Sequence, residues 1–169
     1  MLNINFKNFK KNHKRKKNQV LYIQLKNNNE IFIENLINNF LIVKNSFIFE
    51  SVEKGKFKGR FTIFGKNPDK IWEFNNNKCY LYDKDFKKKI NGKALDVIEK
   101  IIEQFKFEVP KGLPSICSLI SGYFSYDIIK YVENIGNKCI DDLNLPDARI
   151  LRPKELIIHD NIKKITFYI

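Results

Sequence analysis

The sequence predicts an α+β fold, in which antiparallel strands form a layered sheet and a few helices flank it. Short segments rich in β-branched and aromatic residues, separated by turns that contain Asn or Gly, predict strands along most of the chain. A smaller number of segments carry apolar residues at helical spacing. The chain has 169 residues, of which 43% are hydrophobic. We therefore expect a core that needs neither disulfides nor a metal to support it.

In the N-terminal half, one helix is predicted among five strands. From Glu30 to Leu41 the apolar residues recur at helical spacing, and Asn29 is placed to cap the helix. On either side of this helix, aromatic and β-branched residues form short runs that end in polar turns, one of which carries Gly55 and Gly59. The predicted strands span residues 19–25, 46–51, 60–65, 70–74 and 78–82.

In the C-terminal half, residues 94–107 form the clearest predicted helix, because apolar side chains lie on one stripe and charged ones lie opposite. The nearly continuous apolar run at 116–123 predicts a buried central strand. Residues 126–133 have helical spacing. Residues 155–159 and 165–169 bracket a polar turn, which predicts a hairpin.

Basic residues are concentrated at the N-terminus. The chain has 31 Lys and Arg against 19 Asp and Glu, a formal net charge of +12. Seven basic side chains and no acidic one lie in residues 1–17, which leaves residues 18–169 with a net charge of +5. We divide the chain into a basic N-terminal helix or arm, residues 1–18, and a folded domain, residues 19–169. Because that domain is only mildly basic, nucleic acid is not the expected partner.

Few residues point to catalysis. Cys79, Cys117 and Cys139 lack any Cys-x-x-Cys pattern, which predicts idle thiols in a reducing cytosol rather than disulfides or a zinc site. His159 precedes Asp160 at a strand end, where we expect a solvated hairpin corner. The sequence carries no phosphate-binding Gly-rich loop, no nucleophile elbow and no apolar run of membrane-spanning length. It therefore predicts a cytoplasmic protein with no catalytic residue and no metal ligand of its own.

Four segments, taken in order, resemble a known family. They are 46–55 (SFIFESVEKG), 59–65 (GRFTIFG), 122–127 (GYFSYD) and 141–148 (DDLNLPDA). Their order and spacing resemble the N-terminal region of anthranilate synthase component I, a chorismate-utilising enzyme. The resemblance covers about residues 6–169 and implies the N-terminal part of that family's fold. It also implies an incomplete chain, in which we expect an apolar face or an open sheet edge near residues 165–169.

The resemblance implies a function for the whole enzyme. It converts chorismate, with glutamine or ammonia, to anthranilate and pyruvate in the first step of tryptophan biosynthesis, and it requires Mg²⁺. Its implied partners are a glutamine amidotransferase subunit, component II, and the missing C-terminal domain. This chain alone is expected to be inactive, since the family's chorismate-binding portion lies C-terminal to the matched region.

The resemblance also implies a feedback site for L-tryptophan. Glu50 and Ser51 match family positions that contact the inhibitor, and Arg60 matches a basic residue of the same pocket. These residue types suit the ligand, because a zwitterion needs a carboxylate for its ammonium group and a hydroxyl or a cation for its carboxylate. Without the resemblance, the residues themselves favour an ordinary strand end, with Ser51 capping the turn.

Two alternatives remain open at this point. The N-terminal portion of aminodeoxychorismate synthase component I, of the folate pathway, shares several of the same segments. A basic nucleic-acid-binding module is the alternative from another class. That module requires aromatic side chains beside Lys or Arg on an exposed sheet, and no single segment of this sequence has that pattern.

Overall fold

The computed structural model divides into two compact units. The first unit comprises Met1–Pro68, Phe107–Ser118 and Pro153–Ile169, and the second comprises Asp69–Lys106 and Leu119–Arg152. Two long strands, Phe57–Asn75 and Ala148–Asp160, contribute residues to both units. The residues that the structure describes are 2–17, 19–26, 30–53, 57–83, 86–105, 109–118, 120–136 and 140–169.

The secondary structure of these residues is mainly β. The α-helices are α1 (Phe6–Lys14), α2 (Glu30–Leu41) and α3 (Ala94–Gln104). The strands are β1 (Ile23–Lys26), β2 (Phe47–Glu53), β3 (Phe57–Asn75), β4 (Lys78–Asp83), β5 (Phe86–Ile90), β6 (Ser121–Phe124), β7 (Ala148–Asp160) and β8 (Ile165–Tyr168). Short 3-10 helices occur at Ser115–Ser118 and Tyr126–Tyr131.

In the first unit, the strands lie in the order β1-β8-β7-β3-β2, where β3 and β7 contribute the parts that belong to this unit. The pairs β1 with β8, β7 with β8, and β2 with β3 are all antiparallel. Helix α2 supplies Ile33, Leu36 and Ile37 to a core that includes Phe64 and Ile157. Burial of these side chains holds α2 against the sheet, because its own apolar stripe faces inward.

In the second unit, the strands lie in the order β6-β7-β3-β4-β5. The turn between β3 and β4 consists of Asn76 and Asn77, both with positive φ, as a two-residue hairpin requires. The side chain of Asn77 also accepts a hydrogen bond of 2.8 Å from the backbone N–H of Ala94, the first residue of α3. The core beneath α3 contains Trp72, Phe74, Cys79, Val97, Ile98, Ile101 and Ile150.

The structure confirms the predicted fold class, the helices from residues 30 and 94, and the hairpin of β7 and β8. The strands predicted at 60–65 and 70–74 are one strand, β3, and Gly59 lies within it rather than in a turn. Asn67 lies within β3 at a left-handed φ of 51°, and its side chain donates a hydrogen bond to Glu155. The predicted turn residue Gly55 and the predicted cap Asn29 lie outside the described residues.

Two predictions are wrong, and a third, of an apolar face or an open edge, is wrong about the edge. Residues 116–123 do not form a buried central strand: the run divides into a 3-10 helix and β6, and Gly122–Phe124 are exposed. Residues 126–131 form a 3-10 helix rather than an α-helix. The edge near 165–169 is not open, because β8 pairs with β7 on one side and with β1 on the other. Of the helices in the described part of the chain, none is both long and apolar enough to cross a membrane.

Candidate functional site

The β2–β3 hairpin of the first unit places the three residues that the sequence predicts as a binding site. Glu50 on β2 lies opposite Thr62 on β3, and both belong to one face of the hairpin. The register shifts at Ser51, where β3 has two more residues than β2. Arg60 lies in this irregular stretch of β3. A β-bulge bends a strand and redirects its side chains, so the irregularity determines where Arg60 points.

Arg60 makes a long-range ion pair. Its Nε and Nη2 atoms lie 3.3 Å and 3.2 Å from Oδ2 of Asp160, one hundred residues later in the sequence. The guanidinium carbon also lies 4.8 Å from the centre of the Phe61 ring. The Arg60 side chain is 51% exposed, whereas that of Asp160 is 3% exposed. The pair therefore has one end in the protein interior and one end open to a ligand.

Asp160 is held by the hairpin turn that follows it. Its Oδ1 accepts hydrogen bonds from the backbone N–H groups of Ile162 and Lys163, at 3.0 Å and 2.9 Å. Burial by itself raises the pKa of Asp160, but these N–H groups and the Arg60 guanidinium outweigh it and hold the pKa below its usual range. Asp160 is consequently ionised at neutral pH and gives Arg60 a fixed position.

A cavity of about 550 Å³ lies beside this pair, wholly within the first unit. Its volume is in the range of small-molecule sites. Cationic, amide and carboxylate groups line one part of it, and aromatic and aliphatic side chains line the rest. The polar contributors include Arg60, Lys163, Gln24 and Asp160, the apolar ones include Phe61, Ile165 and Phe167, and residues 112–116 complete the wall. Such a lining suits a small ligand that has an acidic group and an apolar body.

The structure brings Arg60 into the cavity lining and leaves Glu50 out of it. Glu50 is exposed on the neighbouring strand and is not among the lining residues. Ser51 lies within β2, at the register shift. Of the three predicted site residues, Arg60 alone is thus placed at the cavity by the described side chains, and the roles of Glu50 and Ser51 stay predictions.

Sequence reasoning missed Asp160, Lys163 and the turn at 112–116 as site components. A sequence signal for Asp160 existed, because an Asp followed by a polar turn is typical of a side chain that accepts backbone N–H bonds. No local sequence pattern predicts that Asp160 pairs with Arg60, because the two residues meet only through the pairing of β3 with β7.

His159 was wrongly predicted as a solvated corner. It is 4% exposed, and its Nδ1 lies 2.9 Å from Oγ1 of Thr166, its partner in the β7–β8 register. Cys79 and Cys117 are buried, and burial raises the pKa of both thiols. Within the ranges that the structure describes, no three side chains of His, Cys, Asp or Glu are grouped so as to hold a metal ion.

Comparison with known proteins finds related sequences. Anthranilate synthase component 1 of Cereibacter sphaeroides is 28% identical over 163 residues, which cover 94% of this chain and 33% of that protein. Anthranilate synthase component 1 of Acetivibrio thermocellus is 32% identical over 119 residues, covering 70% of this chain and 24% of that protein. The chloroplastic anthranilate synthase alpha subunit 1 of Oryza sativa subsp. japonica is 32% identical over 135 residues. No protein-family model matches the chain.

A solved structure has a similar fold. The crystal structure of anthranilate synthase component I from Streptococcus pneumoniae TIGR4 superposes with a TM-score of 0.51 at 25% sequence identity. The superposition covers 78% of this chain and 28% of that one. The present chain therefore spans about a third or less of the length of the relatives that it matches.

Proposed function

Since the chain belongs to the anthranilate synthase component I family and corresponds to its N-terminal region, we propose that it is the tryptophan-sensing portion of such an enzyme. The whole enzyme would convert chorismate, with glutamine or ammonia, to anthranilate and pyruvate in the cytoplasm. Component II, the glutamine amidotransferase subunit, would be its partner. The 94% coverage of this chain by the Cereibacter sphaeroides relative is the observation that carries the proposal.

The cavity beside Arg60 supports L-tryptophan as the ligand. Arg60 has five N–H donors, and Asp160 occupies only the Nε and Nη2 groups. The remaining donors of its half-exposed guanidinium are positioned for a ligand carboxylate. Phe61, Ile165 and Phe167 offer an apolar wall to an indole ring.

Glu50 is our proposed partner for the ligand ammonium group. It is an acidic side chain of the same hairpin, on a strand about 4.8 Å from β3. A hydrogen bond between its carboxylate and an ammonium group contributes about 1.5 to 3 kcal/mol. The Ser51 hydroxyl, at the register shift, would add a further hydrogen bond to the ligand. We assign Mg²⁺ no ligand in this chain, because its described residues offer no cluster that suits a metal.

Isothermal titration calorimetry with L-tryptophan on the full chain tests the site. Arg60→Gln and Glu50→Gln should each weaken binding about tenfold, as expected for the loss of a charge-assisted hydrogen bond. Lys66→Gln is the matched control, because Lys66 is a cation on the same strand that does not line the cavity. Indole, which lacks both charged groups, should bind more weakly than L-tryptophan. Equal affinity of all three variants and the wild type would show that L-tryptophan does not bind in this cavity.

The same chain should not synthesise anthranilate. Incubation with chorismate, Mg²⁺ and ammonium, followed by the fluorescence of anthranilate, measures this directly. Product formed at a rate above that of a denatured sample would show that the region tested here holds a complete catalytic site, contrary to the proposal.

A further inference from the structure

One face of the sheet in the second unit is not used by its core. Helix α3 packs against the face that carries Trp72, Phe74 and Cys79. Because side chains alternate along a strand, the residues between these point to the opposite face. Arg149 on β7 is directly opposite Tyr123 on β6, and Glu73 on β3 is directly opposite Tyr80 on β4. The register continues this second face onto β5, where Lys89 lies opposite Tyr80 and Lys87 lies opposite Tyr82.

We call this surface the tyrosine face and define it by Glu73, Tyr80, Tyr82, Lys87, Lys89, Tyr123 and Arg149. Its rings and cations touch one another. The Lys87 ammonium lies 4.7 Å from the centre of the Tyr80 ring and 5.2 Å from that of the Tyr82 ring. Lys87 and Lys89 are exposed, and Tyr123 is 40% exposed. The tyrosine face thus combines aromatic rings with solvent-facing positive charge.

The charge on the tyrosine face is net positive. Its acidic member, Glu73, accepts a hydrogen bond of 3.0 Å from Nε of Arg149 and is half-buried beneath it. Glu73 also attracts the charge of Lys87, but one acidic side chain against Lys87, Lys89 and Arg149 leaves the tyrosine face with a net positive charge. A hydrogen bond with the Tyr82 hydroxyl raises the pKa of Lys87 above its usual range, so Lys87 is charged at physiological pH. A partner of this face has to be anionic.

We propose that the tyrosine face binds single-stranded nucleic acid. Bases would stack on Tyr80, Tyr82 and Tyr123, while Lys87, Lys89 and Arg149 would contact phosphates. Antiparallel sheets that bind single strands combine the same two elements, aromatic platforms for the bases and cations that follow the backbone. This proposal uses no residue of the Arg60 cavity and does not depend on tryptophan sensing.

Other anionic or apolar partners fit less well. An acidic peptide would use the cations and leave the three tyrosine rings without a role. A second copy of the chain, packed face to face, would bury Lys87 and Lys89 opposite the same lysines, which is costly without counter-charges. Stacking of a base requires Lys87 to move off the rings. An exposed cation–π contact is weaker than a base stacked on an aromatic ring, so this exchange is favourable.

Fluorescence anisotropy with a labelled oligouridine of about 12 nucleotides tests the proposal. The full chain is used with Lys10→Gln, Lys11→Gln and Lys14→Gln in α1, because the basic N-terminal segment attracts any polyanion. In this background, Tyr80→Leu and Tyr82→Leu should each weaken binding about tenfold. Tyr80→Phe and Tyr82→Phe should preserve it, because they keep the ring. Circular dichroism verifies that the Leu variants are folded.

Lys88 provides a control for charge. It is the neighbour of Lys87 on β5, also exposed, and its register partner Leu81 belongs to the α3 face. Lys87→Gln should weaken binding several-fold. It should also reduce the slope of log affinity against log salt concentration by the amount expected for about one phosphate contact. Lys88→Gln should change neither the affinity nor the slope. A duplex of equal length should bind about tenfold more weakly, since its bases are already stacked on each other.

Four outcomes would overturn the proposal. They are equal affinity for the duplex and the single strand, equal effects of Lys87→Gln and Lys88→Gln, wild-type binding by the folded Leu variants, and an absence of binding in the α1 background. If the chain binds no oligonucleotide, and sedimentation shows that it self-associates and that Tyr80→Leu abolishes this self-association, the tyrosine face is a dimer interface instead.

Discussion

Replacement of Asp160 tests whether the hairpin turn and the Arg60 position depend on a single carboxylate. Asp160 accepts two backbone N–H bonds at Oδ1 and two Arg60 bonds at Oδ2. Asp160→Ala removes both carboxylate oxygens, and with them all four hydrogen bonds, at a position that is 2% exposed. Asp160→Asn keeps an acceptor for the Ile162 and Lys163 N–H groups but loses the charge that Arg60 faces.

The magnitude follows from these bonds. A hydrogen bond to a charged acceptor contributes about 1.5 to 3 kcal/mol, and the two N–H groups are only partly buried, so we take the lower value for each. The ion pair adds at most about 1 kcal/mol, because half of the Arg60 side chain is exposed and solvent screens it. Asp160→Ala should therefore lower the free energy of unfolding by about 3 to 4 kcal/mol, and Asp160→Asn by about 1 to 2 kcal/mol.

Urea unfolding followed by far-ultraviolet circular dichroism measures both variants. Asp141→Ala is the control, because Oδ1 of Asp141 accepts one N–H bond of 2.9 Å from Asn144 in an exposed loop; its loss should stay below about 1 kcal/mol. Equal effects of Asp160→Ala and Asp141→Ala would refute the reasoning.

The pH dependence gives a second check. The folded pKa of Asp160 is depressed, so its contribution is fully present above the unfolded pKa of about 3.9 and is lost as pH falls through the lower folded value. The difference in stability between the wild type and Asp160→Asn should shrink over that acidic range. A difference that stays constant through it would contradict the assigned ionisation.

Two further predictions concern the second unit. Gly122→Ala should lower the free energy of unfolding by about 3 kcal/mol in the same urea assay, because a Cβ there would lie 2.0 Å from the carbonyl oxygen of Arg149 and 2.8 Å from Cα of Ile150. Gly136→Ala is the control and should leave the free energy of unfolding unchanged, because nothing lies within 4 Å of the added Cβ. Equal losses of stability in the two variants would contradict the predicted clash at Gly122. Burial raises the pKa of Cys79 to about 12, so in a Cys117→Ser, Cys139→Ser variant this thiol should react with Ellman's reagent at about pH 8 only after unfolding. Rapid reaction of the folded variant would show that the Cys79 thiol is not buried.

Local sequence patterns were sufficient to predict many of the helices and strands. The apolar stripes of α2 and α3 and the polar turn between β7 and β8 are patterns within 5 to 12 residues, and the structure confirms these elements. The strand β5 was missed because three of its five residues are Lys, which carry little strand propensity. In the structure it pairs with β4, and this register brings Lys87 over Tyr80 and Tyr82.

The apolar run at 116–123 was misread for a related reason. Continuous apolarity is typical of a buried strand, but it does not report on the neighbours that decide burial. Ser121–Phe124 pair with the start of β7, and the 3-10 helix Ser115–Ser118 takes up the preceding residues. Gly122 permits the close approach of β6 to β7. The sequence alone carried no information about that pairing.

The sequence by itself predicted the family, the fold class and Arg60 as a candidate binding residue, because ordered short motifs and residue chemistry are local properties. The tertiary structure alone decided that Arg60 meets Asp160 beside a cavity, and that His159 is buried. It also decided that tyrosines and lysines from several strands share one face, although no single segment shows that pattern. The physical reason is register: which side chains meet across a sheet depends on how distant strands pair, and the spacing along any one strand does not specify it.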